Sequence, residues 1–430
     1  MNMRNRSSWK RSEACLLALV VWATSVPLAF AQQPLKIGIV TFLSGPASGP
    51  FGVPARNAAD LVVESLNAGK VPVPYGTKGF GGTPVETVVI DESGGTTTQV
   101  AEFRNLASRV DLVIGYISSG SCLAVAPVAE ELQKLTVFFD CGTPRIFEDA
   151  SYKYVFRTHA SATMDSVGAA LYVMDLDSNV KSIAGINQNY AWGQDSWNDF
   201  VAAMKALKPD IEIKTSQMPK LFSGQYGTEI STLLSARADF LHSSFWGGDL
   251  ETFVLQAAPR ELFQVSKVIL TTGETALVRL GSQIPDGTII GARGTHGVLA
   301  PSNTLNRWFR AAYEQRYQSA PVYPAYHMVQ AILGTKAAYE KAQAANGGKR
   351  PSQDQIIAAF EGLTWEAPSG TVRMALGKGH QAIQATAYGT TKLVDGEVTL
   401  VNVKYYPADK VNPPEGVKSV DWIKSGFKAR

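Results

Sequence analysis

Catalysis needs a nucleophile, a base or a set of metal ligands at workable spacing, and this chain does not bring them together. His159, His242, His296, His327 and His380 are scattered, with no HxxxH or CxxC arrangement that could hold zinc, so neither a metal nor a cofactor is implied. There is no GxSxG elbow and no P-loop, and Gly79-Phe80-Gly81-Gly82 lies in a loop with prolines rather than between a strand and a helix. Ser178-Asn179-Val180-Lys181 matches SxxK by letters alone; a turn before a strand explains it better. The chemistry on offer is binding. Ser118-Ser119-Gly120-Ser121 follows the apolar run DLVIGYI, and Cys141-Gly142-Thr143-Pro144 follows LTVFFD. Each junction sets hydroxyl and backbone donors beyond the end of a strand, where the free amides of a following helix attract a carboxylate. Plain N-capping by a serine is the rival reading, and it is compatible with ligand binding.

The elements that would position these residues follow a regular rhythm. Strand-like runs at 35–41, 85–91, 111–117 and 135–140 alternate with helical periods at 55–67, 97–108 and 122–131. A second series has strands at 180–187, 211–218, 238–245, 266–272 and 288–293, with helices at 194–206, 227–236 and 249–258. Continuous apolar runs separated by amphipathic helices read as βαβ units with a doubly wound parallel sheet, here in two α/β lobes of similar plan. The rhythm breaks after residue 300. Helical stretches at 302–318, 325–343 and 353–362 are expected to complete the first lobe, and strand-like runs near 370–374, 383–390 and 397–405 to close the second. The glycine-rich turns at 76–82 and the PADKVNPPEG segment read as surface loops.

Composition narrows the partners. The 430 residues are 45% hydrophobic, enough for sizeable cores, and the 40 Lys and Arg are nearly balanced by 37 Asp and Glu. With no basic stripe, nucleic acid is not an expected partner. The excess of +3 has an address: Arg4, Arg6, Lys10 and Arg11, opposed by Glu13, precede a short apolar run that ends at Ala29-Phe30-Ala31. This is the plan of a secretory signal peptide cleaved after Ala31, with retention as a membrane anchor the alternative. Cleavage would leave a formally neutral periplasmic protein with two cysteines, Cys122 and Cys141. Each follows a predicted strand closely, so neighbouring parallel strands would bring them within reach of a disulfide.

Taken in order, Ser44-Gly45-Pro46, Phe51-Gly52, IGYISSGSCLAVAPVAEE (114–131), the FRT turn (156–158), Tyr190-Ala191-Trp192-Gly193 and PAYHMVQAI (324–332) resemble the periplasmic substrate-binding proteins of ABC importers, of the leucine/isoleucine/valine-binding type. The resemblance covers about 300 residues, and its specificity lies in the order and spacing of the motifs. It implies the type I periplasmic binding fold: two lobes joined by three crossovers, placed near 158–165, 290–300 and 358–370, with a ligand cleft that closes by hinge motion. Lobe 1 would comprise 32–160 plus 295–360, and lobe 2 would comprise 161–294 plus 361–430.

By the same resemblance, Ser119, Cys141 and Thr143 hold the ligand carboxylate and part of an ammonium, Cys141 through its backbone. Phe51 packs on the ligand side chain, Tyr190 and Trp246 clamp it from lobe 2, Glu274 pairs with an α-ammonium, and Tyr326 belongs to the first-lobe wall. The aromatics have an ordinary core role as their rival reading, and Glu274 the start of a helix. HSSFWGG (242–248) and the 71–84 insertion depart from the leucine-binding pattern, and the ligand side chain stays open. The expected function is therefore a non-enzymatic, monomeric binder that delivers a small carboxylate-bearing nutrient to an inner-membrane ABC permease. An apolar or branched-chain amino acid is the leading ligand. The alternatives are an aromatic or aliphatic acid or amide without an ammonium, or a ligand-sensing receptor subunit.

Overall fold

The computed structural model describes residues 33–428; the expected leader and its cleavage point lie outside them. Ten strands come first in the chain: β1 (Leu35–Thr41), β2 (Val85–Asp91), β3 (Leu112–Gly115), β4 (Thr136–Phe138), β5 (Val155–Arg157), β6 (Ser182–Ile186), β7 (Glu212–Gln217), β8 (Phe240–Ser243), β9 (Lys267–Leu270) and β10 (Ile289–Gly291). Five follow the helical stretch: β11 (Thr364–Ala367), β12 (Gly370–Leu376), β13 (Gln381–Ile383), β14 (Thr386–Val394) and β15 (Glu397–Tyr406). The described residues form an eight-stranded sheet in the order β11-β12-β13-β5-β4-β3-β1-β2 and a seven-stranded sheet in the order β15-β14-β10-β9-β8-β6-β7. Strands β3, β4 and β6 are buried along their whole length, which is why their sequences run apolar without alternation.

Both sheets are parallel through their first-formed strands and become mixed at the late ones. β12 pairs antiparallel with β11 and β13, and β14 pairs antiparallel with β10 and β15. Three expectations are corrected here. The strands over 364–383 do not close the second sheet; β13 lies parallel to β5 and extends the first. The third crossover accordingly falls at Gln384 and the following alanine, between β13 and β14, rather than near 358–370. The FRT segment is strand β5 rather than a turn.

The helix Tyr323–Ala345 shows why the tail returns to the first lobe. It is buried without a break from Tyr323 to Lys336, and a helix apolar on all sides needs cover on all sides. The helix Val53–Ala68 and the first sheet supply that cover. The loop read as a surface turn at 76–82 is also part of this packing. Phe80 is buried edge-on against Tyr339, and Lys336 Nζ donates to the carbonyls of Thr77 (3.0 Å) and Gly79 (2.6 Å).

Candidate functional site

Two neighbouring loops of the first sheet build one wall. After β3 the chain turns through Tyr116, Ile117 and Ser118 into the helix Ser119–Glu131; after β4 it runs through Asp140, Cys141, Gly142 and Thr143. Ser119 Oγ accepts from the amides of Gly142 and Thr143, both at 3.2 Å, and makes no donated bond within the protein, so its own hydrogen is free to turn into the cleft. The Glu92 carboxylate, at the end of β2, accepts from the amides of Ile117 (2.7 Å) and Ser118 (2.8 Å) and fixes the first loop. Burial pushes its pKa up to about 8, against the pull of those amides. A Cys122–Cys141 disulfide, with Cα atoms 6.5 Å apart, ties the helix to the second loop.

The opposite wall comes from the second sheet, again from residues just beyond strand ends. Tyr190 and Trp192 follow β6, Trp246 follows β8, Thr272 follows β9 and Arg293 follows β10. Trp246 Nε1 donates to the Tyr190 hydroxyl at 2.7 Å, and Trp192 Nε1 donates to the Ser244 carbonyl at 2.8 Å. These bonds satisfy the polar ends of rings whose faces are buried. Both tryptophans pack into the hydrophobic cluster of the first lobe, with Trp246 set 5.3 Å from Phe51 and 5.9 Å from Phe42 between centroids.

Arg293 joins the walls at the second crossover. Its backbone is left-handed (φ 49°), which turns the chain out of β10. Nη1 donates to Asp140 Oδ1 at 2.6 Å and Nε to Asp165 Oδ2 at 3.2 Å, while the guanidinium carbon stands 4.5 Å from the Trp192 ring centre. Nη2 has no partner, and neither has Asp140 Oδ2. Burial pushes Asp140 and Asp165 up to about 7, with the guanidinium pulling the other way. Burial works against the charge of Arg293 itself, yet the two carboxyls hold its pKa above the usual range.

Phe51, Ile117, Ser119, Asp140, Gly142, Tyr190, Trp192, Trp246, Thr272, Arg293 and Tyr323 enclose a cavity of only about 10 Å³. That is room for about one water molecule, so the lobes are closed onto each other and any larger occupant requires opening. Several bonds cross between the lobes beside this cavity. Gly248 N donates to the Pro46 carbonyl at 2.9 Å, and Thr143 Oγ1 donates to Asp195 Oδ2 at 2.6 Å. Arg145 adds an ion pair to Asp195, and Tyr323 N donates to Glu274 Oε2 at 2.8 Å.

Of the residues singled out from sequence, Phe51, Ser119, Tyr190 and Trp246 line this cavity. The other four lie elsewhere. The Cys141 carbonyl accepts from Arg157, Thr143 faces Asp195 across the lobes, and Tyr326 bonds Asn306 Oδ1 (2.8 Å) inside the first lobe. Glu274 sits at the first amide of the Tyr323–Ala345 helix, and burial pushes its pKa up to about 7 against that amide's pull. It takes no part in lining the cavity. Sequence reasoning did not single out Asp140, Thr272, Arg293 or Tyr323, which line the cavity. Asp140 and Arg293 carried a usable signal, a lone charge closing an otherwise apolar strand run in LTVFFD and TIIGAR.

Comparison with known proteins agrees with this fold. The family model described as periplasmic binding protein matches residues 34–396. The Leu/Ile/Val-binding protein homolog 4 of Brucella melitensis is 23% identical over 362 residues, covering 80% of this chain and 81% of its own. A solved ABC-transporter solute-binding protein from Rhodopseudomonas palustris, in complex with 3,4-dihydroxybenzoic acid, superposes with a TM-score of 0.74 at 21% identity, covering 87% of this chain and 98% of that one. The closed leucine-, isoleucine-, valine-, threonine- and alanine-binding protein of Brucella ovis gives 0.73 at 19% identity, covering 89% and 98%. At these identities the structural likeness concerns the fold.

Proposed function

The chain belongs to the periplasmic binding protein family, a family of binders rather than enzymes, and from that premise we propose that it captures a small carboxylate with an aromatic or aliphatic body. It would release that solute to an inner-membrane ABC permease, working in the periplasm after cleavage behind Ala31. The observation that carries the ligand class is the Arg293 guanidinium, held among Phe51, Tyr190, Trp192, Trp246 and Tyr323 with Nη2 unpartnered. The Ser119 hydroxyl lies on the same cavity as a second free donor. Donors aimed into a ring-lined cleft suit an anion with an apolar body, and closure strengthens each bond by excluding water.

In this reading Ser119 and Arg293 receive the carboxylate, and the rings of Phe51, Trp192 and Trp246 cover the body. Lobe 1 is residues 33–160 with 295–383, and lobe 2 is 161–294 with 386–428. An ammonium is not required in this reading, because Glu274, which accepts from Tyr323 N through one oxygen, does not line the cavity. A second reading keeps the amino acid: Asp140 Oδ2, unpartnered on the cavity wall, is an acceptor that an α-ammonium could use. Calorimetry on protein stripped of ligand separates the two. Benzoate and 4-hydroxybenzoate should bind and leucine should not. Leucine binding without benzoate binding moves the assignment to the amino acid, and binding of neither removes the carboxylate class.

A further inference from the structure

Arg293 has a role in the cleft, but a second buried arginine has none. Arg157, the last residue of β5, is 1% exposed. Its Nε donates to Gln381 Oε1 at 2.5 Å, and Nη1 donates to the carbonyls of Cys141 (2.9 Å) and Thr143 (2.6 Å). Nη2 makes no hydrogen bond within the protein. Among the described residues no carboxylate comes within ion-pair distance of this guanidinium; Asp195 pairs with Arg145, and Asp140 and Asp165 with Arg293. Burial pulls its pKa down to about 9 and the charge of Arg293 adds to the penalty, while the more distant carboxyls of Glu148 and Asp195 offset part of it. A cation taken out of water without a counter-ion is costly, and folded proteins ordinarily supply one.

Arg157 lies on a cavity of about 260 Å³, far larger than the cleft as it stands. The cavity is bounded by the segment 144–161, the turn after β12 and the C-terminal segment 413–419. Pro144, Phe147, Leu376 and Pro414 give it apolar walls, and Phe147 lies 5.8 Å from the guanidinium carbon. Glu148, on the same cavity, is engaged by the amide of Ser419 (3.0 Å) and by its hydroxyl, and burial raises its pKa. An apolar cavity of about 150 Å³ admits benzene, so this one has room for a ring and a charged group.

We propose that this cavity is a second ligand site, distinct from the cleft, taking a small monocarboxylate on Arg157 with its apolar body against Phe147 and the prolines. Equilibrium dialysis of stripped protein against radiolabelled benzoate tests it. In Gly142→Ala protein, whose cleft binds more weakly, one equivalent should keep its wild-type affinity. Its affinity should fall about tenfold or more when Arg157→Gln is added, which removes the charge. Far-UV circular dichroism checks that this variant folds. Ala150→Trp, at the mouth of the cavity, gives the same loss with the guanidinium intact. Gly142→Ala protein that takes up no benzoate, or binds it unchanged with both second substitutions, overturns the proposal. If Arg157→Gln alone abolishes all uptake, this site stands and the aromatic-acid reading of the cleft fails.

Discussion

Gly142 is the residue at which the cleft has least room. A Cβ there would overlap the Trp192 ring of the facing wall and Arg293 Nη2. Gly142→Ala should therefore weaken ligand binding by about 1–3 kcal/mol, the cost of overpacking, while the unfolding midpoint without ligand moves little. An unchanged dissociation constant by calorimetry would refute it. His242 offers a residue-scale test of another kind. Burial alone holds its pKa down at about 3, and its ring stacks 4.4 Å from Phe200 with both nitrogens unpartnered. The folded pKa is depressed, so the unfolded chain takes the proton first, and stability is lost as pH falls from about 6.5 towards the folded value. Between pH 6.5 and 5 this amounts to about 2 kcal/mol. His242→Phe should remove that part of the acid sensitivity in urea unfolding, and an identical pH profile for the two proteins would count against it.

At the scale of elements, the helix that starts at Ser119 and the loop after β4 act as one unit because the Cys122–Cys141 disulfide joins them across 19 residues. Closing a loop of that length in the unfolded chain is worth about 3 kcal/mol, so a Cys122→Ser/Cys141→Ser protein should unfold at correspondingly lower urea. A midpoint unchanged from the wild type would mean that the bridge adds nothing to stability. The alternating strands and helices up to residue 300 were legible because each repeats a local pattern, and the junction residues Ser119, Tyr190 and Trp246 were legible with them. The late strands were not. The run read near 383–390 straddles a break, because β13 ends at Ile383 and β14 begins at Thr386 in the other sheet. Nothing local marks that switch, since Gln381 is chosen by Arg157 and Tyr388 by Gly291, both far away in the chain. Glu274 shows the same limit. An acid at the start of a helix looks alike whether it faces a ligand or, as here, the amide of a helix in the other lobe.

For the whole molecule the question is which bonds hold the lobes shut. Asp195 makes two of them. It accepts from Thr143 Oγ1 at 2.6 Å and pairs with Arg145 at 2.6 Å, and its side chain is 10% exposed. Arg145 is 39% exposed, so solvent screens its contribution and the hydroxyl bond matters more. A contact made only in the closed form draws its whole effect from the open–closed equilibrium. Removing it leaves each lobe as stable as before and makes the closed, ligand-holding form rarer. Asp195→Ala should therefore lower affinity by about 1 kcal/mol, roughly fivefold, through faster release. Trp192 and Trp246 report closure by fluorescence, because both are buried in the cleft. In stopped flow the release rate should rise about fivefold, with the association rate nearly unchanged and the same melting temperature without ligand. A lower melting temperature with unaltered release would place Asp195 in the fold of one lobe and take the clasp away from it.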